Sequence, residues 1–427
     1  MIVAAETPEE NEVTIIDEQV VNIPWHEKFD LVGITCMTAL APRAYEIAAQ
    51  FRRRNIPVVL GGMHPTLCQE EAVRHADAIV AGDVEGIWRE VLTDVRKGKL
   101  KKLYTNSRPP DLAGLKRVPR YLLHKKSYST INAVQATRGC PNSCEFCSVS
   151  AFHKQTQRQR PVDEVIAEVT RIADKFILLV DDNLTADVAY AARLFEGLKP
   201  LNKLWATQSD VGIAEYPDLV GLAAESGCIG LFVGIETFSK ANLNGVAKTC
   251  NRVEKYREAI RLFHSFGIAV EAGIVFGFDN DRPMVFQDTL RLLDELEIDL
   301  IQASIFTPLP GTKRFESMQD RIYSRDWADY DFHSVVFHPK HMSAADLQAG
   351  HDWITCEFYK PRRIAKRLWR HALRPRGFAA MPYLAAVNLA YYGRVLNWHI
   401  QGLNPAGKTG ASTEVPGCDK AEFLSPV

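Results

Sequence analysis

Cys140, Cys144 and Cys147 stand at C-x3-C-x2-C spacing within the segment ATRGCPNSCEFCSVS. Three thiolates on one short loop can each ligate one iron of a 4Fe–4S cubane, which leaves the fourth iron without a protein ligand. The amino and carboxylate groups of a small molecule can chelate that open iron, and the cluster can then pass it an electron. Gly139 and Pro141 suit a loop that must wrap tightly. A zinc site or three unrelated thiols are the alternatives, but zinc normally takes four ligands in paired spacings, and no second cysteine pair lies nearby. Cys36, Cys68, Cys228, Cys250, Cys356 and Cys418 are singletons and read as buried free thiols.

The loop must be held by the elements around it. It directly follows a strand, TINAVQAT, and from about 129 to 310 strands alternate with helices. FILLV, KLWATQS, IGLFVGI, AVEAGIVFGF and DLIQASIFT are the later strands. Six strand–helix units predict a partial (β/α)6 barrel with its active site at the carboxyl ends of the strands. Upstream, over about 1–104, VTIID, DLVGITCM, IPVVLGG and ADAIVAGD alternate with helical stretches, the pattern of a parallel α/β sheet. Residues 105–128, with Pro109, Pro110 and Pro119, read as a linker; 311–404 read as a helical, aromatic cap, and 405–427 as a disordered tail.

A chain of 427 residues has room for two or three domains. Its net charge of -1 provides no overall field toward nucleic acid, so no nucleic-acid partner is expected. The first residues turn acidic at once and no apolar run is long enough to span a membrane. Nine scattered cysteines fit a reducing compartment, and a cytoplasmic protein is expected.

The cysteine loop and the five strands after it resemble the radical S-adenosylmethionine (SAM) superfamily. The resemblance implies a 4Fe–4S cluster on Cys140, Cys144 and Cys147, with SAM on the open iron. An electron donor of flavodoxin or ferredoxin type would drive cleavage of the sulfonium bond to a 5′-deoxyadenosyl radical. Phe146 matches the aromatic that packs near the adenine. Asp181 and Asp182 in LLVDDN stand where members often carry Gly-Gly-Glu for the SAM amino group. Glu236 ends the fourth strand, where a carboxylate faces SAM, and Gly273 and Gly277 in GIVFGF match the fifth-strand motif beside the adenine.

The amino-terminal region resembles the cobalamin-binding, flavodoxin-like (Rossmann-type) domain that precedes the barrel in one class of these enzymes. Thr35, Met37, Gly61, Gly62, His64, Gly82 and Asp83 fall just past the carboxyl ends of its strands, where ligands bind in open α/β sheets. The D-x-H-x-x-G motif is absent, which implies cobalamin without a histidine ligand. MIVAAETPEENE reads like the end of the domain's first helix, so the sheet is expected to lack its first strand.

The carboxyl-terminal region resembles the tails of members that act on lipids and tetrapyrrole-like substrates, such as hopanoid methylases. Trp327, Tyr330, Phe332, His333 and Phe337 are placed either over the barrel mouth or in plain packing. KPRRIAKRLWRHALRPR carries eight basic residues and no acidic one beside an apolar helix with tyrosine and tryptophan. Such a segment can contact anionic lipid at the membrane periphery, or it is a solvated helix face. The resulting expectation is cobalamin-dependent C-methylation of a small-molecule or lipid-like substrate. A non-methylating cyclase or rearrangement enzyme, and a non-catalytic iron–sulfur or cobalamin sensor, are the alternatives.

Overall fold

The computed structural model describes residues 1–401. The apolar runs IPVVLGG and ADAIVAGD become β2 (Val58–Gly61) and β3 (Ala78–Ala81), buried almost throughout, as parallel strands covered on both faces must be. With β1 (Val32–Thr35) and β4 (Leu103–Thr105) they form a parallel sheet in the order β1-β2-β3-β4. Around it lie α1 (Ile2–Glu6), α2 (Ala41–Arg53), α3 (Met63–Leu67), α4 (Gln69–His75) and α5 (Trp88–Arg96). Ala41, Ala44, Ala48 and Phe51 give α2 its buried stripe.

Two expectations about the chain's first residues meet different outcomes. MIVAAE is helical, and Trp88 Nε1 in α5 donates to Thr7 Oγ1 at 2.8 Å just after it. VTIID, expected as a strand, forms none. A strand exists through a ladder with a neighbour, and this segment reaches no sheet edge; Ile16 instead packs near Ala48, Phe51 and Val58. β1 pairs directly with β2, and no strand among the described residues covers its outer edge, where Gly33 and Thr35 are exposed.

The second sheet contains β5 (Ala133–Val134), β8 (Phe176–Leu179), β9 (Leu204–Ser209), β10 (Cys228–Glu236), β11 (Ala269–Phe276) and β12 (Leu300–Ile305). All pair in parallel, in the order β12-β11-β10-β9-β8-β5, which is the partial six-stranded barrel expected. β6 (Thr137–Gly139) and β7 (Gln157–Gln159) form a separate antiparallel ribbon. The barrel helices are α6 (Ser148–His153), α7 (Val162–Thr170), α8 (Val188–Leu198), α9 (Pro217–Glu225), α10 (Lys240–Gly245), α11 (Tyr256–Ser265) and α12 (Val285–Glu295). Ile229, Leu231, Val233 and Ile235 of β10 are buried on one face. Gly234 and Gly273 stand side by side on the other, where a Cβ on Gly273 would meet the Phe232 ring at 2.9 Å.

A partial barrel leaves an edge strand whose backbone groups need partners. The region after it, α13 (Lys313–Ser317), α14 (Ala344–Phe358), α15 (Pro361–Ala372) and α16 (Met381–Gln401), supplies them. Tyr359 Oη donates to Ile301 O at 2.7 Å and accepts from Ile301 N at 3.1 Å. Farther along β12, Ile305 N donates to Phe332 O at 2.7 Å. At the amino end of β12, buried Asp299 accepts from Arg374 at 2.8 Å and faces His264 at 2.9 Å and His371 at 3.1 Å, which ties α15 to the barrel base. The residues after 401, including the tail expected at 405–427, lie outside the described residues.

Candidate active site

The cysteine loop follows β6, in the ribbon beside the barrel. Gly139 has φ +88, and a Cβ there would lie 2.2 Å from Thr156 O, so only glycine fits. Cys140 and Cys144 follow, and Cys147 caps α6. The end of β8 braces this loop. Asp182 Oδ2 accepts from Gly139 N at 2.8 Å, and Asn183 Nδ2 reaches Cys140 Sγ at 3.8 Å and Asp210 Oδ2 at 2.7 Å. Asp181, expected near SAM, is instead an internal strut. It is buried and accepts from Ala136 N at 3.0 Å, Thr137 Oγ1 at 2.9 Å and Thr137 N. Burial pushes its carboxyl up to about 7 against those hydrogen bonds, and its Oδ2 is buried without a partner.

The three cysteines are free, and no three His, Cys, Asp or Glu among the described residues converge tightly enough to hold a single metal ion. A set of three thiols fits a cubane with one iron left open better than a zinc ion, which normally takes four ligands. Phe146, just before the third cysteine, packs at 6.5 Å from Phe278 and 6.1 Å from Phe306, ring centre to ring centre.

Glu236 ends β10 at a bulge, with φ +62, a left-handed backbone conformation uncommon for a non-glycine residue. Its Oε1 accepts from Lys248 Nζ at 2.9 Å, both side chains being nearly buried. Gly234 leaves room for this pair, since a Cβ there would lie 2.5 Å from Glu236 Oε1. The sequence marked Glu236 but not Lys248, because nothing in linear order places the loop after α10 against β10. Gly277, φ +100, packs under Leu347 of α14.

The amino-terminal sheet meets the cluster loop through a buried ion-pair network. Arg138 in β6 donates to Asp83 at 2.8 Å and to Glu85 at 2.8 Å, while Arg158 in β7 donates to Asp83 at 2.7 Å. Asp83, expected at the cofactor face, is therefore committed to the barrel. His64 needs the same correction: it is 0% exposed, with Nε2 3.0 Å from Tyr45 Oη and its ring 5.4 Å from that of Trp327. The first turn of α3 carries its side chain inward. Trp327 also donates to Glu71 at 2.9 Å, so this residue of the cap clasps the amino-terminal domain. Tyr330 and Phe337 are core residues of the cap.

The remaining strand-end residues make an accessible rim. Thr35 is exposed and Met37 is 52% exposed. Gly62, φ +94, packs so closely that a Cβ would lie 2.6 Å from Thr35 Oγ1, and Gly61 precedes it at the end of β2. Gly82, φ +89, has nothing within 4 Å of where its Cβ would be. The open space at Gly82 suits close approach of a flat cofactor, and His64 is buried against Tyr45.

Residues 134–308 match the model of the Radical SAM superfamily, and residues 7–92 match the B12 binding domain. The chain is 31% identical to bacteriochlorophyllide d C-12(1)-methyltransferase of Chlorobaculum tepidum over 84% of itself and 81% of that protein. The chain belongs to the cobalamin-dependent radical SAM methyltransferases. Its cofactors are a 4Fe–4S cluster, SAM and cobalamin. It is 25% identical to hopanoid C-2 methylase of Rhodopseudomonas palustris over 86% of itself and 72% of that protein. Its fold is like that of the radical SAM methyltransferase TsrM from Kitasatospora setae, solved with cobalamin and a 4Fe–4S cluster. The TM-score is 0.60 at 18% identity, covering 69% of this chain and 67% of that one. In this enzyme no described helix is long and apolar enough to cross a membrane.

Proposed function

We propose that this methyltransferase places a methyl group on an unactivated carbon of a tetrapyrrole-like substrate. The observation that carries the substrate class is the 31% identity, over 81% of its length, to a relative named for a bacteriochlorophyllide. When bound, the cluster supplies the electron that cleaves SAM, and cobalamin supplies the methyl group.

The chain's own residues hold and orient. Cys140, Cys144 and Cys147 ligate three irons. The Glu236–Lys248 pair opens toward SAM, Glu236 accepting from an N–H of its iron-bound amino group and Lys248 donating to its carboxylate. Phe146, Gly273 and Gly277 border the adenine, and Asp182 fixes the loop through Gly139. Thr35, Met37, Gly61, Gly62 and Gly82 form the rim that receives cobalamin. The domain limits drawn from sequence, 1–104, 105–128, 129–310 and 311–404, belong to this reading, as do reduction by a flavodoxin- or ferredoxin-type donor and a cytoplasmic location.

Peripheral contact with anionic lipid belongs to it too. Trp369 on α15 and Leu373 just after it are 69% and 70% exposed, and Arg362 and Lys366 on the same helix are exposed with no ion pair among the described residues. Co-sedimentation with phosphatidylglycerol vesicles tests this contact, which Trp369→Ala and Lys366→Glu should weaken.

The methyl transfer is tested by incubating reconstituted enzyme with methyl-labelled SAM and a chlorin, in parallel with a hopanoid. Label in the chlorin with equivalent 5′-deoxyadenosine supports the reading. Label in the hopanoid would overturn the substrate class. Deoxyadenosine with an unlabelled, cyclised product would replace methylation by ring closure.

A further inference from the structure

β11 carries a single charged residue, Glu271, in a run otherwise apolar or glycine. Val270, Ala272, Ile274 and Phe276 are buried in the core on one face of the strand. Alternation therefore puts Glu271 on the other face with Gly273, inside the barrel. On that face lie Phe232 of β10, which pairs with Glu271, Gln208 of β9, which pairs with Phe232, and Gln302 of β12, which pairs with Gly273. Gln208 and Gln302 are exposed and Glu271 is half-buried, so the barrel interior is open to this depth. Toward the amino ends of the strands α16 closes it. Tyr383 covers Gly230, where a Cβ would lie 3.0 Å from its ring, and stacks on Phe176 at 6.0 Å between ring centres. Tyr383 and Tyr391 each donate to one carboxyl oxygen of Glu271, both at 3.4 Å.

Among the described residues no cation pairs with Glu271, and burial pushes its carboxyl up against the two tyrosine bonds. Two long bonds leave further lone pairs on both oxygens, and an acceptor short of partners in such surroundings costs stability until a ligand supplies a donor. A neutral donor suits it, because bringing an ammonium to this depth would desolvate a second charge. The N–H groups of a tetrapyrrole lie at its centre, so an edge entering the barrel meets Glu271 through a peripheral hydroxyl. Glu236 is level with Ile274, which puts Glu271 three residues, about 10 Å, deeper than the carboxylate assigned to SAM. We propose that Glu271 is a specificity-determining residue at the floor of the substrate pocket, accepting a hydrogen bond from a hydroxyl on the substrate edge farthest from the reacting carbon.

The inference rests on the tetrapyrrole reading, and binding of any chlorin tests that reading separately. Matched chlorins, one with hydroxymethyl where the other has methyl, are titrated by fluorescence into reconstituted full-length enzyme, the substituted position being varied around the ring. At one position the parent protein should bind the hydroxylated chlorin about tenfold or more tightly than its methyl counterpart. Glu271→Leu should erase that preference while leaving iron content and the affinity for the methyl chlorin unchanged. Glu271→Gln, which keeps an acceptor and the shape of the side chain, should keep most of it. A parent protein that binds chlorins without preference overturns the proposal, as does a preference that survives in the Leu variant. Equal weakening of both chlorins by Glu271→Leu also overturns it, because the carboxyl would then only hold α16 in place. So does a Gln variant that loses the preference as fully as the Leu variant. A parent protein that binds no chlorin at all would instead remove the tetrapyrrole reading, and this inference with it.

Discussion

Arg138 sits two residues before Cys140 and donates to Asp83 of the amino-terminal domain at 2.8 Å. The same guanidinium holds Glu85, so the strand that delivers the first cluster ligand is also the strand that docks the cobalamin domain. Both arginine contacts are almost buried. Such a pair adds little net stability over an apolar contact, yet breaking it from one side leaves uncompensated charge.

Arg138→Ala should therefore cost about 3–5 kcal/mol, the penalty for a broken buried pair. Glu85 would lose its charged partner while Asp83 keeps Arg158, and the domains should separate before either unfolds. Chemical denaturation should show an earlier first transition, and gel filtration should show loss of bound cobalamin. A variant that melts like the parent and keeps its cobalamin would show the network to be incidental.

Replacing Cys140, Cys144 or Cys147 by Ala should abolish the 4Fe–4S absorbance and the reductive cleavage of SAM together. Iron and acid-labile sulfide are the quantities to assay. Asp182→Ala should act more mildly, because its carboxylate only secures the Gly139 N–H, and should lower iron retention without eliminating it.

Glu236→Gln and Lys248→Met should weaken SAM binding roughly tenfold or more, since each removes a charge-assisted contact worth about 1.5–3 kcal/mol. Iron content should stay near normal. Equilibrium dialysis with labelled SAM reads the first effect and an iron assay the second; iron loss in both variants would mean the pair holds the fold rather than the substrate.

Asp299 predicts an acid sensitivity. Burial alone would raise its carboxyl pKa, but hydrogen bonding from His264 and His371 and the charge of Arg374 outweigh that and hold it well below the usual range. A carboxylate with a depressed folded-state pKa contributes stability that is present above its unfolded pKa, near 3.8, and lost as pH falls below it. The parent protein should lose stability steeply below about pH 4, and Asp299→Asn should be weaker at neutral pH with a flatter acid limb. Denaturation midpoints measured from pH 3 to 7 check this; parallel curves would place the acid response elsewhere.

Much of this enzyme was readable from local pattern. The cysteine spacing names its own chemistry, because ligands on one loop need no other element to bring them together. Strand–helix alternation over 129–310 determined a parallel barrel, since apolar runs of strand length separated by amphipathic helices bury their surface in few other ways. The glycines after IPVVL and AIVA mark rims, and the positive φ of Gly62 and Gly82 is a local property. Tertiary structure alone decided what depends on long-range placement. VTIID carries strand-forming residues, but pairing needs a neighbouring edge, which local propensity does not supply. Asp83, Asp181 and His64 look like ligand contacts in linear order, yet each is consumed by a partner remote in sequence: Arg138, the Ala136 and Thr137 backbone, and Tyr45. Lys248 looks ordinary until the loop after α10 closes over the end of β10, because proximity across a barrel rim is set by how the strands stack and not by any spacing along the chain.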